Sequence, residues 1–227
     1  LAQREAQRIA NLAWEARHEF EVELVPPDEA IRRALAIEGG PVVLSDSADG
    51  VGAGSGGDGT NVLRSLLAAN LQVPAMITLV DPEAVQEAIA GGFNNQVTLM
   101  VGGKTDPVFN QPMQVTGRVK TISDASYKAY GVTIPMGHCV VLEIGTINLL
   151  LMSYKAHTIT PSVYRAVGLE PTDAKIVVVK SPTQFRDEYE PIAKEIIMVD
   201  APGISSANFK SLPFKNITHP LYPFDLN

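Results

Sequence analysis

The sequence lacks the residues that staple a small fold or bind a structural metal. Cys139 is the only cysteine among 227 residues, which excludes an internal disulfide and a cysteine-based zinc module. Such cysteine usage fits a reducing compartment, and we expect a cytoplasmic protein. The four histidines, His18, His138, His157 and His219, form no pair at metal-ligand spacing. The sequence therefore predicts no metal site within this chain.

Clustered cations and long apolar runs are also lacking. There are 18 Lys and Arg against 25 Asp and Glu, and the formal net charge is -7. Nucleic-acid binding needs basic clusters, so nucleic acid is excluded as a partner. The apolar stretch around residues 149–152 is interrupted by Glu143, Asn148 and Lys155. It is well short of the ~20 residues that a spanning helix needs, and we expect no contact with a membrane.

The chain does have the length and apolar content for a sizeable core, because 45% of its 227 residues are hydrophobic. Apolar residues recur at helical spacing through residues 1–20 and indicate an amphipathic first helix whose apolar face needs a partner. No secretory signal precedes this helix. We interpret residues 1–227 as one domain in which residues 1–22 form a linking helix from a missing N-terminal domain.

Short apolar runs alternate with helical patterns along much of the chain. The runs at residues 41–46, 75–80, 176–179 and 196–199 are typical of strands buried on both faces. Helices are predicted at residues 28–37, with Asp28 as the cap, and at residues 60–70. Three further helices are predicted where an Asp, Thr or Ser cap precedes proline, at Asp81-Pro82, Thr160-Pro161 and Ser181-Pro182.

The pattern is different between residues 112 and 155, where alternating β-type sequence and a hairpin at Gly145-Thr146 are predicted. His138 and Cys139 are expected to open a strand there. Their side chains would point to opposite faces, so they form a poor catalytic dyad. Prolines after residue 202 favour an extended tail. The predicted fold is α/β, with a mixed sheet, flanking helices, an antiparallel β-rich insert and an extended, proline-rich C-terminal tail.

The most informative segment is a glycine-rich loop, residues 47–59, between a predicted strand and a predicted helix. Gly52, Gly54 and Gly57 match the G-x-G-x-x-G spacing of a dinucleotide site. However, Gly52 lies about six positions past the strand, and three nearby carboxylates disfavour a pyrophosphate. A P-loop lacks its lysine here, and a calcium loop lacks its closing glutamate. A flexible crossover and a loop that lines a site both stay open.

Open α/β sheets place ligands at the carboxyl ends of their strands, which is where this loop lies. A second candidate is the turn after residues 176–179, where a predicted helix N-terminus beside Lys180 would stabilise an anion. A plain helix cap at Ser181 with a solvated Lys180 explains that turn equally well. No catalytic residue is assigned. The candidate substrate-lining residues are Asp46, Asp49, Gly52, Gly54, Gly57, Asp58, Thr60, Lys180, Ser181 and Arg186.

Five motifs occur in a fixed order along the chain. They are residues 49–60, Gly102-Gly103-Lys104, Val179-Lys180-Ser181 with Phe185-Arg186, Asp200-Ala201-Pro202-Gly203 and Pro220-Leu221-Tyr222-Pro223. This ordered set resembles the C-terminal domain of the MlrC-like (microcystinase C) family, whose full-length members are regarded as zinc metallopeptidases. The chain departs from the family pattern in the loop, where Gly50 and Val51 replace Asn and Pro and Ala53 replaces Gly.

The resemblance implies the C-terminal, cleft-lining domain of a zinc-dependent hydrolase that acts on peptide or amide bonds. Zinc would then be bound in the N-terminal domain, and this chain alone would hold no cofactor and be inactive. Its implied partners are that domain and a small peptide or amide substrate, and a homo-oligomer stays open. The alternative is a non-catalytic binding module for a small anionic ligand or nucleotide at the glycine-rich loop. A mainly structural domain, docking through its first helix and tail, is a third hypothesis.

Overall fold

The computed structural model describes residues 1–225. The helices are α1 (Ala2–Glu15), α2 (Pro27–Ala36), α3 (Asn61–Ala68), α4 (Pro82–Gly91), α5 (Ser162–Arg165) and α6 (Arg186–Tyr189). The strands are β1 (Val42–Asp46), β2 (Ala75–Val80), β3 (Gln96–Val101), β4 (Met113–Ala129), β5 (Val132–Ile144), β6 (Ile147–Met152), β7 (Ile176–Val179) and β8 (Glu195–Val199). Within the described residues they form one eight-stranded mixed sheet in the order β3-β4-β5-β6-β2-β7-β1-β8.

The half of the sheet from β6 to β8 is parallel. Every residue of β1, β2, β6 and β7 is buried, as expected for strands covered on both faces. Leu44 and Ile77 face one apolar cluster, and Val43 and Met76 face the other. The predicted strands in this half are confirmed. Parallel pairing brings the carboxyl ends of β1, β2 and β7 to one edge of the sheet.

The half from β3 to β6 is antiparallel, which confirms the β-rich insert and its hairpin at Gly145-Thr146. The prediction that His138 and Cys139 open a strand is wrong, because β5 already begins at Val132. The first part of β5 was not predicted because it contains Pro135 and Gly137, and both residue types weaken a strand pattern. A register shift in the pairing with β4 lies opposite these two residues.

The helices test the predicted caps. Asp81 caps α4 as predicted and accepts a hydrogen bond from Ala84 N at 3.1 Å. Asp28 does not cap α2, because Pro27 already occupies the first helical position and places Asp28 in the first turn. An acidic side chain still stabilises the helix dipole there.

The helix start predicted at Ser181-Pro182 is wrong. The short helix α6 begins only at Arg186, and its capping position is Phe185. A turn precedes it, in which Arg186 N donates to Thr183 O at 3.1 Å. No helix N-terminus therefore stands beside Lys180, and the expected anion site at this turn loses its physical basis.

The N-terminal helix and the C-terminal tail lie together on the surface. None of residues 2–15 is buried, and Ile9 is 58% exposed. As far as residue 225, the tail is irregular apart from one 3-10 turn. The ring of Tyr222 packs edge-on against Trp14, with centroids 6.3 Å apart. The linking role of residues 1–22 stays a prediction. Within residues 1–225, no helix combines the length and apolarity needed to cross a bilayer.

The buried central strands should dominate the stability of the fold. Leu149 in β6 is fully buried, whereas Met100 in β3 is 47% exposed. We expect Leu149→Ala to lower the free energy of unfolding by about 2–5 kcal/mol, because it leaves a cavity in the core. Met100→Ala is the matched control, with an expected change of roughly 0.5 kcal/mol or less. Urea denaturation followed by circular dichroism measures both, and equal losses would contradict this assignment of the core.

Candidate functional site

The glycine-rich loop lies at the carboxyl edge of the parallel strands. It forms two 3-10 turns, Ser47–Asp49 and Val51–Ala53. Its two ends are buried, while Gly52, Ala53 and Gly54 are exposed. We refer to these three residues as the loop tip. Segments that follow β3, β6, β7 and β8 contact the loop, so the site is built from five separate parts of the chain.

Asp49 holds the loop in its conformation. Its Oδ1 accepts a hydrogen bond from Gly57 N at 2.9 Å, and its Oδ2 accepts one from Gly59 N at 2.7 Å. Gly57 has a φ of +76°, and a Cβ on Gly59 would lie 2.9 Å from Asp49 Oδ2. One position therefore needs glycine for its backbone and the other for its space. Asp49 is only 4% exposed, and its carboxylate binds backbone groups within the loop.

Lys180 is the cationic partner of this loop. It is 3% exposed, and its Nζ donates to Asp49 Oδ2 at 2.7 Å, Gly59 O at 3.1 Å and Asp46 Oδ2 at 3.3 Å. Burial acts to lower the pKa of Lys180, but Asp49 and Asp46 outweigh it and raise the pKa above its usual value. Lys180 is therefore a buried ammonium rather than the solvated residue considered above.

Asp46 differs from Asp49 in its surroundings. Burial raises the pKa of Asp46, and the nearby charge of Lys180 only partly opposes this effect. Its Oδ1 has no hydrogen-bond partner within residues 1–225. A carboxyl with one unsatisfied oxygen next to a second carboxylate has a weak preference for the charged state.

Asp58 and Thr60 join the loop to the segment that follows β3. Asp58 Oδ2 accepts hydrogen bonds from Lys104 N and Thr105 N, both at 2.8 Å. The hydroxyl of Thr60 donates to Gln111 O at 2.8 Å. These side chains face another loop of the protein. Their contacts thus hold the two loops together, although the buried Oδ1 of Asp58 has no partner within residues 1–225.

Asp81 is fully engaged in the same region. Besides capping α4, its carboxylate accepts from Gly102 N at 2.8 Å and from Lys104 Nζ at 2.9 Å. The motif Gly102-Gly103-Lys104 is therefore hydrogen-bonded to the carboxylates of Asp81 and Asp58. A ribose hydroxyl would find no free oxygen on this carboxylate.

The loop tip is bordered by side chains that the sequence did not single out. A Cβ built on Gly52 would lie 3.0 Å from Nδ1 of His157 and 3.6 Å from Oε1 of Gln184. Lys155 Nζ donates to Ser55 O at 3.3 Å. Lys155 and His157 follow β6, and Gln184 follows β7. Their position just after buried strands is the signal that could have identified them.

The remaining candidates lie in two places. Ser181 is buried, its carbonyl accepts from Ser45 Oγ at 2.7 Å, and its own hydroxyl has no partner within residues 1–225. Arg186 pairs with Glu190 at 2.9 Å and stacks over Phe185. The structure thus joins Asp46, Asp49, Gly57, Asp58, Thr60 and Lys180 around one buried network and leaves Gly52 and Gly54 at the exposed tip. Whether any of them lines a substrate stays a prediction.

The described residues do not fit a zinc ion. Residues 1–225 contain no group of three or more His, Cys, Asp or Glu side chains that could hold a metal. Burial, with a smaller contribution from Asp124, raises the pKa of Cys139 to about 12. Its thiol is therefore protonated at neutral pH and is a poor ligand and nucleophile.

Comparison with known proteins identifies relatives. The family model described as the MlrC C-terminus matches residues 44–216. The chain is 27% identical over 196 residues to microcystinase C of Sphingomonas sp.. The matched region covers 86% of this chain and 38% of that protein. A crystal structure from Mesorhizobium sp. BNC1, described as a candidate metallopeptidase, has the same fold, with a TM-score of 0.84 and 24% sequence identity. The match covers 97% of this chain and 45% of the Mesorhizobium chain. The chain thus spans less than half the length of either relative.

Removal of the buried cation tests the network. Lys180→Met leaves Asp46 and Asp49 without their counter-charge, and we expect the free energy of unfolding to fall by about 3–5 kcal/mol. The exposed Lys128→Met is the matched control, with an expected change of roughly 0.5 kcal/mol or less. Urea denaturation of both variants measures the difference. A loss at Lys180 no larger than that at Lys128 would contradict the network.

The same variant should lose more stability than the wild type as the pH rises from acid to neutral. A carboxyl whose folded-state pKa is raised, as for Asp46, stabilises the fold below its unfolded pKa. That contribution is lost as the pH rises through the folded pKa. Lys180 opposes this loss in the wild type. The stability gap should therefore widen as the pH rises above about 4, since the unfolded carboxyl titrates near pH 4.

Proposed function

This chain belongs to the MlrC C-terminal family, and from that premise we propose that it is the C-terminal, cleft-lining domain of a zinc-dependent hydrolase of peptide or amide bonds. The zinc ligands are supplied outside this chain. The observation that carries the proposal is the exposed loop tip, which a buried network holds at the carboxyl edge of the sheet. Ligand sites of open α/β sheets lie at this edge.

The relatives support the reaction class. One is named as a microcystinase and the other is described as a candidate metallopeptidase. Both are more than twice as long as the region they share with this chain, which leaves room for a separate metal-binding domain. In this proposal the N-terminal domain is the main partner, and residues 1–22 connect the two.

The part of this chain is to bind and orient the substrate. Gly52, Ala53 and Gly54 carry little or no side chain, so an extended peptide can approach their backbone closely. The ion pair between Asp49 and Lys180 fixes the loop before substrate arrives, which reduces the ordering cost of binding. The side chains that support the loop from its buried side are Asp46, Asp49 and Lys180. They hold its shape and do not touch the substrate.

The alternative of an anion or nucleotide module has less support. A phosphate at a glycine-rich loop is bound by free backbone amides. Here the amides of Gly57 and Gly59 donate to Asp49, and those of Lys104 and Thr105 donate to Asp58. The carboxylates of the loop thus take up the amides that a phosphate would need. The expected helix N-terminus at Ser181 is also not formed.

The full-length protein that contains this chain tests the proposed function. We expect it to retain zinc after dialysis, to hydrolyse members of a panel of blocked linear peptides and simple amides, and to lose at least tenfold activity on chelation. Metal analysis and product detection by mass spectrometry measure these effects. Residues 1–227 alone are the control and should neither retain zinc nor hydrolyse the panel. A full-length protein without zinc or hydrolysis would overturn the proposal.

A further inference from the structure

His157 differs from the other histidines in its partners. Within residues 1–225, no hydrogen bond reaches either ring nitrogen of His157, and the residue is half-buried. The other three histidines each have a carboxylate neighbour. These pairs are His18 with Glu21, His138 with Asp124 and His219 with Asp225. Among the described residues, the imidazole without a carboxylate neighbour is thus the one beside the loop tip.

The backbone of His157 is held in place. Its carbonyl accepts a hydrogen bond from the hydroxyl of Tyr127 at 2.7 Å, and Tyr127 is buried. The adjacent Thr158 hydroxyl accepts from Lys180 N at 2.5 Å. The segment that carries the imidazole is therefore fixed to β4 on one side and to the end of β7 on the other.

The glycine at position 52 is explained by this imidazole. A Cβ there would lie 3.0 Å from Nδ1 and 3.1 Å from Cε1 of His157, closer than normal contact. The φ of Gly52 lies outside the left-handed region, so its backbone does not require glycine. Gly54 is the opposite case, with a φ of +97° and no described atom within 4 Å of the point that a Cβ would occupy. Of the two glycines of the loop tip, Gly52 alone is needed to make space for a described side chain.

We propose that His157 is a substrate-contacting residue whose free ring nitrogen hydrogen-bonds an amide group of a peptide lying along the loop tip. A neutral imidazole carries one donor and one acceptor, which matches an amide N–H and C=O. Gln184, whose Oε1 also lies near Gly52, supplies a second amide-binding group. Gly52 is a positioning residue. This inference rests on the proposed function, because it takes the peptide as the occupant of the tip.

Kinetics of the full-length enzyme test the inference first. Loss of one hydrogen bond should raise KM by roughly threefold to tenfold in His157→Ala, with kcat within about twofold of the wild type. His157→Gln keeps a donor and an acceptor and should restore part of the affinity. Gly52→Ala should raise KM by displacing the ring. His138→Ala is the matched control, because that side chain pairs with Asp124 and does not border the tip.

Chemical footprinting supplies a readout besides activity. Diethylpyrocarbonate modifies accessible neutral imidazoles, and mass spectrometry locates the modified residues. With zinc chelated so that the probe persists, millimolar acetyl-tetraalanine amide should slow modification of His157 at least threefold and leave His138 unchanged.

The outcomes separate the two proposals. If the wild type cleaves peptides while His157→Ala keeps the wild-type KM, the inference is wrong and the proposed function stands. If the wild type cleaves no peptide, the proposed function is wrong, and protection of His157 by the probe decides the inference alone. If His157→Ala lowers the melting temperature but leaves KM unchanged, His157 has a packing role and the inference is overturned.

Discussion

The ion pair between Asp49 and Lys180 is the interaction on which the site depends. It joins the first loop of the sheet to the end of β7 at 2.7 Å and is almost completely buried. A buried pair is favourable only when further hydrogen bonds satisfy both partners. Here Gly57, Gly59 and Asp46 provide those contacts. Without Lys180 two carboxylates would be buried unpaired, and without Asp49 two loop amides would lose their acceptor.

This arrangement changes how the acidic glycine-rich loop is interpreted. A loop of this kind often binds phosphate through backbone amides, but its own carboxylates occupy that role here. The polar groups are therefore used to build the loop, and the surface available to a ligand is the small tip around Gly52. Substrate contact then moves to side chains on the neighbouring segments, of which His157 has both ring nitrogens available.

The sequence predicted the parts of the fold that depend on local patterns. Buried strands appear as apolar runs, and the Asp81-Pro82 start of α4 has a strong local signature. The helix predicted at Ser181-Pro182 failed because the same dipeptide also suits a turn. The pairing of Lys180 with Asp49 spans 131 residues and depends on β1 lying beside β7, which no local pattern reveals. The position of His157 beside the loop was not predicted for the same reason, since only the tertiary fold places it against Gly52.

The central claim is that the buried carboxylate of Asp49 shapes a loop that orients substrate. Its most direct test is kcat/KM for peptide hydrolysis by the full-length enzyme carrying Asp49→Asn, compared with Asp124→Asn on the exposed part of the β4–β5 hairpin. Circular dichroism must first show that both variants are folded at the assay temperature. We predict a loss of about 100-fold for Asp49→Asn, because small displacements of orienting groups cost this much, and wild-type activity for Asp124→Asn. Equal activity in the two folded variants would contradict the account.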